Sequence, residues 1–282
     1  MTVPPAPVHK RTLVSLRLRL ADTADLLRGR RDRFTPPRRL NFVGDSDFRS
    51  TGEEFLVHFR ELADLSPSDR VLDIGCGIGR MARVLVRELA PPSGSYDGLD
   101  VARQGVSWCQ RHYRHTPVPF RFRHVDLRHS EYNPRGTFAP ERFTFPYPDA
   151  SFDLAIATSL FTHLLEGAAD RYLAETARVL APGGRMLATW FVLDPSLPPA
   201  PSEAMLTFAH RVGAAWVSDP RAPEAAVAYG STWISDRLSA HGLQLRAPIF
   251  HGSWTGRPGR SAQDIVVAKT SREATTAIAE FG

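Results

Sequence analysis

The pattern of hydrophobic and polar positions divides the chain near residue 70. Before that point, apolar residues recur at helical spacing in two stretches, residues 13–27 and residues 52–65. Pro36 and Pro37 separate the two stretches, because proline interrupts a helix. The pattern therefore predicts two helices that form an N-terminal cover over the rest of the chain.

Beyond residue 70, short apolar runs alternate with amphipathic segments. This alternation is typical of βαβ units, in which helices connect the strands of a mostly parallel sheet. It predicts an α/β fold with a doubly wound, seven-stranded, mostly parallel sheet that ends in an antiparallel hairpin. The predicted strands cover residues 71–74, 95–99, 120–125, 152–157, 184–191, 243–250 and 264–269. The predicted helices cover residues 80–89, 101–113, 167–180 and 231–241.

Two long segments interrupt this alternation, residues 128–150 and residues 194–230. Loops of this length inside a compact domain are usually functional. Both follow predicted strands, and open α/β sheets bind ligands at the carboxyl ends of their strands. We therefore expect residues 1–66 to form a basic arm and helical cover, and residues 67–282 to form a ligand-binding domain with two lid-like insertions.

Basic charge is concentrated at the N-terminus. Residues 1–40 contain ten Lys or Arg and three Asp, whereas the remaining residues contain 25 basic and 27 acidic side chains. The body of the chain thus lacks the excess positive charge expected of a nucleic-acid-binding domain. The arm is interpreted as a solvated face of the cover. Attraction of an acidic acceptor or peptide and contact with an anionic surface are the alternatives.

Hydropathy and cysteine spacing bear on compartment and metal content. No run approaches the roughly 20 apolar residues of a membrane span, and residues 1–40 lack the apolar core of a secretory signal. Cys76 and Cys109 do not have the CxxC spacing of a zinc or redox site. We therefore expect a cytoplasmic protein without a metal site.

A glycine-rich loop follows the first predicted strand. Asp73 precedes Gly75, Gly77 and Gly79, and a predicted helix begins at Arg80. Glycine permits positive φ angles and lets the backbone approach a ligand at a helix N-terminus. A dinucleotide site with the G-x-G-x-x-G spacing would need glycine in place of Arg80, which argues against a nicotinamide cofactor. An ordinary tight strand-to-helix turn is the alternative.

Acidic residues also end the second and third predicted strands. Asp100 follows Gly75 by 25 residues, a position from which a carboxylate can accept hydrogen bonds from both hydroxyls of a ribose. Asp126 ends the third strand, where a turn or helix-cap aspartate is the alternative to a ligand contact. Three acids at the ends of three successive strands are difficult to explain by turns alone.

Residues 68–192 resemble the class I S-adenosylmethionine-dependent methyltransferases, in particular bacterial members of natural-product biosynthesis that modify small molecules. The resemblance implies a Rossmann-like fold, S-adenosylmethionine as the cofactor and S-adenosylhomocysteine as the product. In that family the acid before the glycine loop holds the methionine end of the cofactor, and the acid after the third strand meets the adenine amino group. The cofactor contacts carried over to this chain are Asp73, Gly75, Cys76, Gly77, Asp100, Val101, Asp126, Leu127 and Ser159.

The transfer that the resemblance implies is an in-line displacement, which positioning alone can accelerate, so a general base is optional. For a hydroxyl acceptor, His163 is the candidate base because histidine side chains ordinarily titrate near neutral pH and because it lies close to the end of the fourth predicted strand. A histidine packed at a helix start is the alternative. Tyr132, Trp190 and His251 are weaker candidates for the pocket wall.

The sequence therefore predicts a methyltransferase that acts on oxygen in a small molecule or a modified peptide. An RNA or DNA methyltransferase that uses the basic arm is one alternative. However, the chain lacks the Asn or Asp followed by Pro-Pro and an aromatic residue that is typical of DNA amino-group methylases. A noncatalytic cofactor-binding protein is the other alternative.

A magnesium-dependent mechanism is not expected. Neither Thr158 nor Ser159 is an acid that could hold the magnesium of catechol-type members of the family. The acceptor and the oligomeric state are not predicted.

Overall fold

A computed structural model describes residues 22–24, 31–40, 47–197 and 205–271. Of the helix predicted over residues 13–27, only residues 22–24 fall in these ranges, and they are helical; the rest lies outside the described residues. The second predicted helix is present as α1, Phe48–Ala63. Asp47 caps it, since its carboxylate accepts hydrogen bonds from the backbone N–H groups of Arg49 and Ser50 at 3.0 and 2.7 Å.

The helices that connect the strands lie where the sequence pattern predicts them. They are α2 (Arg80–Leu85), α3 (Arg103–His112), α4 (Glu166–Val179) and α5 (Ser231–Ala240). The largest difference is in α2, which ends at Leu85 rather than at residue 89. Its first residue directly follows the glycine loop, so the N-terminus of α2 points toward the region where that loop turns.

The strands form one ten-stranded sheet. They are β1 Arg70–Ile74, β2 Ser95–Asp100, β3 Phe120–His124, β4 Phe152–Ala157, β5 Leu180–Leu193, β6 His210–Val212, β7 Ala215–Val217, β8 Val227–Gly230, β9 Leu243–Leu245 and β10 Asp264–Thr270. The strands β3, β2, β1, β4 and β5 lie side by side in that order and run parallel. The strand order reverses between β1 and β4, which opens a crevice at their carboxyl ends.

The antiparallel strands confirm the predicted hairpin and correct the predicted strand count. β10 pairs antiparallel with β5, and β9 pairs antiparallel with β10. The described residues contain ten strands where the sequence predicts seven, because β6, β7 and β8 lie inside the second insertion. β8 pairs in parallel with Phe191–Leu193 at the end of β5, and so adds another strand to the sheet beside β5. Strands of three or four residues are too short to show alternation in the sequence.

Helices cover both faces of the sheet. On one face, α4 and α5 bury side chains that include Tyr172, Leu173, Ile234 and Leu238. On the other face, α1, α2 and α3 bury side chains that include Phe59, Leu85 and Val106. The doubly wound α/β prediction is thus confirmed, and α1 shares a core with the sheet that it covers. No helix among the described residues has the length and apolar character needed to cross a membrane.

The first insertion, residues 128–150, is packed against α4. The backbone N–H of Phe145 donates to Glu175 Oε2 at 2.8 Å, and Arg178 donates to the carbonyl oxygens of Phe145 and Tyr147 at 3.0 and 2.9 Å. Glu175 is buried, and its carboxylate also pairs with Arg178 at 2.6 Å. These bonds satisfy the irregular backbone of the insertion and hold it as a wall beside the carboxyl ends of the strands.

Candidate active site

A cavity of about 720 Å³ opens at the carboxyl ends of the parallel strands, where the strand order reverses. The glycine loop after β1, the end of β2 and the segment after β4 form its floor. Helix α1 and both insertions form its walls, through residues that include Glu54, Phe55, His129, Tyr132, Met205 and Glu224. The cavity therefore lies where both predicted insertions and the predicted motifs meet.

The glycine loop has the backbone conformation that its sequence requires. Gly75, Gly77 and Gly79 have φ angles of +81°, +55° and +83°, which favour glycine. The N–H groups of Gly75 and Cys76 donate to the carbonyl oxygen of Leu99 at 2.9 and 3.1 Å, which ties the loop to β2. Gly75 and Gly77 lie on the cavity wall, so their bare backbone faces the space that a ligand would fill.

Asp100 joins the loop to the end of β2. Its Oδ2 accepts a hydrogen bond from the N–H of Gly77 at 2.7 Å, and its Oδ1 accepts one from the N–H of Ala102 at 2.6 Å. A carboxylate has about four acceptor positions, so about two remain for a ligand. Burial raises the pKa of Asp100 from its ordinary value, and the side chain lies on the cavity wall beside Val101. The geometry suits a ligand with two neighbouring hydroxyl groups.

Asp73 and Cys76 lie beneath the loop rather than on the cavity wall. Asp73 is 1% exposed, and the hydroxyl of Tyr96 donates to its Oδ2 at 2.6 Å. Its Oδ1 has no hydrogen-bond partner among the described residues, and burial raises the pKa of Asp73 to about 7. Cys76 is buried against Gly98, where an added Cβ would lie 2.9 Å from the Cys76 sulfur. The two side chains support the loop from below.

Asp126 and its neighbour Leu127 lie in different positions relative to the cavity. The Asp126 carboxylate accepts hydrogen bonds from the hydroxyl of Thr137 at 2.7 Å and from Asn133 Nδ2 at 3.1 Å, and these bonds lower its pKa. Its side chain is therefore committed to the first insertion and is not among the described residues of the cavity wall. Leu127 is buried and lies on that wall.

Ser159 has a φ angle of +54°, which is unfavourable for a residue with a side chain. Its N–H donates to the hydroxyl oxygen of Thr189 at 2.7 Å, and its own hydroxyl donates to Gln263 Oε1 at 3.1 Å. Thr189 donates to the same Gln263 oxygen at 2.6 Å. These bonds hold the strained turn after β4 in place on the cavity wall.

His163 lies on the cavity wall with a defined tautomer. Its Nδ1 is 2.9 Å from the backbone carbonyl oxygen of Glu224, which can only accept a hydrogen bond. Nδ1 therefore carries the proton in the neutral ring, and Nε2 keeps its lone pair. The Glu224 carboxylate accepts a hydrogen bond from the N–H of Ser130 at 2.8 Å. Glu224 thus connects His163, the first insertion and the second insertion.

The three weaker candidates for the pocket wall lie in different environments. Tyr132 lies on the cavity wall. Trp190 is fully buried and stacks on Phe161 with ring centroids 4.1 Å apart, so it belongs to the core. His251 lies near Asp194 and Asp264, at 3.5 and 3.4 Å, and is not among the described wall residues.

Several residues of the cavity wall belong to no recognisable sequence motif. Gln263 precedes β10, Glu224 lies in the second insertion, and Glu54 lies on α1. His129 follows Asp126 by three residues. Its position just after the third strand is the sequence signal that could have identified it as a residue of the cavity wall. All of them reach the cavity through packing between segments distant in sequence.

The charge of the wall is mostly negative. Its described residues include two guanidinium groups, Arg80 and Arg128, and five carboxylates, Glu54, Asp100, Glu131, Glu141 and Glu224. Such a wall favours a cationic or neutral ligand over an anionic one. Among the described residues, no group of three or more His, Cys, Asp or Glu side chains has an arrangement that could hold a metal ion.

Residues 71–184 match the family model described as a methyltransferase domain. The matched segment contains the glycine loop, Asp100 and the turn after β4, which are the features that build the cavity. The chain carries a class I S-adenosylmethionine-dependent methyltransferase domain. The family assignment agrees with the resemblance and with the sheet order.

Two relatives align with this methyltransferase domain. A Mycobacterium ulcerans protein, phthiotriol/phenolphthiotriol dimycocerosates methyltransferase 1, is 36% identical over 43% of this chain and 36% of its own length. A fatty-acid O-methyltransferase of Mycolicibacterium smegmatis is 35% identical over 43% of this chain and 36% of its own length. The alignments therefore span little more than a third of the relatives.

A solved structure shows the same fold over nearly the whole chain. It is Burkholderia thailandensis 1,6-didemethyltoxoflavin-N1-methyltransferase with bound 1,6-didemethyltoxoflavin and S-adenosylhomocysteine. The TM-score is 0.50 with 16% sequence identity, and the match covers 96% of this chain and 94% of that one. At this identity the similarity concerns the fold alone.

The methyltransferase domain has a cavity that fits S-adenosylmethionine, the cofactor of its class. Gly75 and Gly77 lie on the wall without side chains, and a Cβ at Gly75 would lie 3.2 Å from Leu160, so a larger residue would crowd the loop there. Asp100 keeps acceptor positions suited to ribose hydroxyls. The negative wall suits a sulfonium compound with an ammonium group.

Proposed function

We propose that this protein transfers a methyl group from S-adenosylmethionine to a hydroxyl of a neutral small molecule or lipid. The observation that carries the proposal is the geometry of His163. Its Nδ1–H is held by the Glu224 carbonyl at 2.9 Å, which leaves Nε2 unprotonated in the neutral ring, and His163 lies on the wall of the cavity that also contains Asp100 and the glycine loop. A neutral imidazole in this tautomer is suited to accept a proton from a hydroxyl.

The cofactor contacts divide into direct and supporting residues. In this proposal Asp100 accepts hydrogen bonds from the ribose hydroxyls, and the backbone of Gly75 and Gly77 lies against the methionine end. Val101 and Leu127 provide apolar contacts, and the carbonyl of Ser159 accepts from the amino group. Asp73, Cys76 and Asp126 act indirectly, by holding the glycine loop and the first insertion in place.

S-adenosylmethionine, when bound, supplies a methyl group whose bond to sulfur breaks with the electron pair staying on sulfur, as the acceptor atom bonds to carbon. The protein positions the acceptor oxygen and excludes water, which accounts for most of the acceleration in a displacement of this type. His163 Nε2 accepts the proton that the hydroxyl loses. The Glu224 carbonyl stabilises the resulting imidazolium because Nδ1–H continues to donate to it.

The charge and size of the cavity support a neutral small acceptor. Five carboxylates among the described wall residues disfavour an anion such as a free carboxylate. A volume of about 720 Å³ lies within the range of roughly 300–1,000 Å³ for small-molecule sites. A hydroxyl on a modified peptide is the second acceptor within this proposal. Similarity to a fatty-acid O-methyltransferase supports transfer to oxygen in a small molecule or lipid.

The cofactor assignment is tested first, by calorimetric titration with S-adenosylhomocysteine and with NAD as the control. We expect the wild-type protein to bind S-adenosylhomocysteine alone. Asp100→Asn should bind it about 10- to 100-fold more weakly, since it loses a charged acceptor of hydrogen bonds. Asp97→Asn is the matched control on the same strand, because Asp97 pairs with Arg121 at 3.2 Å away from the cavity wall. Equal affinities for both variants would remove Asp100 from the site.

The reaction is tested by screening neutral hydroxyl compounds for a gain of one methyl group by mass spectrometry. With any accepted compound, His163→Gln should lower kcat by about 10²-fold and leave the affinity for S-adenosylhomocysteine unchanged. Full activity in this variant would remove His163 as the base. Binding of S-adenosylhomocysteine without transfer to any hydroxyl would favour the noncatalytic alternative, and methylation of RNA or DNA would favour the nucleic-acid alternative.

A further inference from the structure

The cavity wall contains a second histidine that the proposed reaction does not use. His129 begins the first insertion, is 9% exposed and lies on the wall. Its Nδ1 lies 3.2 Å from the backbone nitrogen of Glu131 and 3.3 Å from that of Tyr132. A backbone N–H can only donate, so Nδ1 accepts, and the proton of the neutral ring is on Nε2.

The Nε2–H group of His129 is buried and has no hydrogen-bond partner among the described residues. A buried donor without a partner costs free energy, and native proteins keep few of them. Burial lowers the pKa of His129, which keeps the ring neutral near pH 7. The Nε2–H group is therefore an unsatisfied donor beside the cavity, and a bound ligand atom with a lone pair would satisfy it.

His163 presents the complementary group on the same wall. The two imidazole rings have centroids 6.4 Å apart and an interplanar angle of 68°. His163 Nε2 can accept a hydrogen bond in this tautomer, whereas His129 Nε2–H can donate one. A single ligand satisfies both groups if it carries a hydroxyl and, on a neighbouring carbon, a second oxygen with a lone pair.

We propose that His129 and His163 together form a subsite for acceptors with two vicinal oxygen atoms. The hydroxyl that becomes methylated donates to His163, and the neighbouring hydroxyl, ether or carbonyl oxygen accepts from His129. The inference rests on the proposed function for the role of His163. His129 determines specificity, and its proton stays on Nε2 throughout.

The test measures binding rather than turnover. Wild-type protein, free and loaded with S-adenosylhomocysteine, is titrated with 1,2-octanediol and with 1-octanol, and binding is followed by ligand-observed NMR. We expect the diol to bind about five- to tenfold more tightly, because it makes one additional hydrogen bond. Equal affinities, or no diol binding at millimolar concentration, would overturn the proposal.

Two variants distinguish hydrogen-bond donation by the His129 Nε2–H group from the structural role of the His129 ring. In His129→Asn the side-chain oxygen can take the place of Nδ1 and accept from the N–H groups of Glu131 and Tyr132, but the Nε2–H donor is lost. We expect this variant to keep its Tm and lose the diol preference. His129→Gln places an amide N–H near the original Nε2 and should recover part of the preference. A diol preference in His129→Asn equal to that of wild type would contradict the assignment.

A histidine-selective ¹⁵N–¹H spectrum checks the tautomer directly. His129 should show a proton on Nε2, and this resonance should move downfield with the diol and not with the alcohol. A proton on Nδ1 would overturn the proposal. Because the diol titration includes the unloaded protein, its outcome can be read even if S-adenosylhomocysteine fails to bind, which would refute the proposed function separately.

Discussion

The acids at or near the carboxyl ends of β1, β2 and β3 occupy three different environments. Asp73 is buried with one hydrogen bond, from Tyr96. Asp100 lies on the cavity wall with each carboxylate oxygen bonded to one backbone N–H. Asp126 accepts hydrogen bonds from two side chains of the first insertion and is not among the described residues of the cavity wall. Of the three, only Asp100 lies on the cavity wall, so in the proposed function it is the acid that binds the ligand directly.

Asp73 makes the stability of the fold depend on pH. Its pKa of about 7 in the folded state exceeds the 3.8 of an ordinary Asp, chiefly because it is buried. Below about pH 4 both states hold the proton. As the pH rises from 4 to 7, the unfolded chain releases the proton first, so the folded state loses stability, by about 4 kcal/mol in total.

Asp73→Asn removes this titration. We expect the variant to gain stability relative to wild type as the pH rises from 5 to 8, measured as the free energy of unfolding in urea. Asp153→Asn is a control of opposite sign, because hydrogen bonds from Arg70 lower the pKa of Asp153 despite its burial. The contribution of Asp153 is present above about pH 4 and is lost below it. Parallel stability curves for wild type and Asp73→Asn would contradict the prediction.

At the scale of elements, the strand–loop–helix unit around the glycine loop has little steric freedom. Gly79 starts α2 with a φ angle of +83°, and a Cβ there would lie 2.9 Å from Cys109 Sγ and 3.3 Å from the Tyr113 hydroxyl. Both partners belong to the α3 region, so Gly79 determines how closely α2 and α3 approach.

Gly79→Ala should therefore destabilise the fold for two reasons, the positive φ and the clash. We expect a loss of about 2–4 kcal/mol. Gly183→Ala separates the two causes, since Gly183 has a φ angle of +74° and no atom within 4 Å of an added Cβ. That control should lose only about 1–2 kcal/mol. Urea unfolding measures both values, and equal losses would show that the contact with Cys109 is unimportant.

At the scale of the whole molecule, Arg185 of β5 joins helix α1 to the sheet. Its guanidinium group donates to the carbonyl oxygens of Ala63 and Asp64 at 3.0 Å each, and to that of Asp153 at 3.1 Å. It also pairs with Asp69 at 2.6 Å. These bonds span the end of α1, the start of β1 and β4, so α1 and the sheet should unfold together.

Arg185→Lys tests this coupling, because an ammonium group cannot make the divergent bonds of a planar guanidinium. We expect a loss of about 2–3 kcal/mol in the free energy of unfolding, in one transition seen by both circular dichroism and tryptophan fluorescence. Arg121→Lys is the control, since its pair with Asp97 involves an arginine side chain that is 61% exposed. It should cost less than about 1 kcal/mol. Similar losses in both variants would show that the Arg185 contacts do not couple α1 to the sheet.

The sequence by itself determined the alternation of strands and helices, the glycine loop and the acids at the strand ends. These features depend on residues within one or two turns of each other, so hydrophobic period and spacing reveal them. Of the eight residues predicted to form a strand over 243–250, only Leu243–Leu245 do so, as β9. The other confirmed strands are long enough to show a pattern. β6 to β8 are not, since they owe their pairing to β5 and to one another.

Only the tertiary structure decided which polar atoms are satisfied and which face the cavity. The Asp126 carboxylate is taken by Asn133 and Thr137, and Nδ1 of His163 is held by Glu224, 61 residues away. The buried Nε2–H of His129 depends on a backbone turn that no sequence pattern specifies. The physical reason is that hydrogen-bond satisfaction and burial depend on what packs nearby, and packing brings together segments that are distant in the chain.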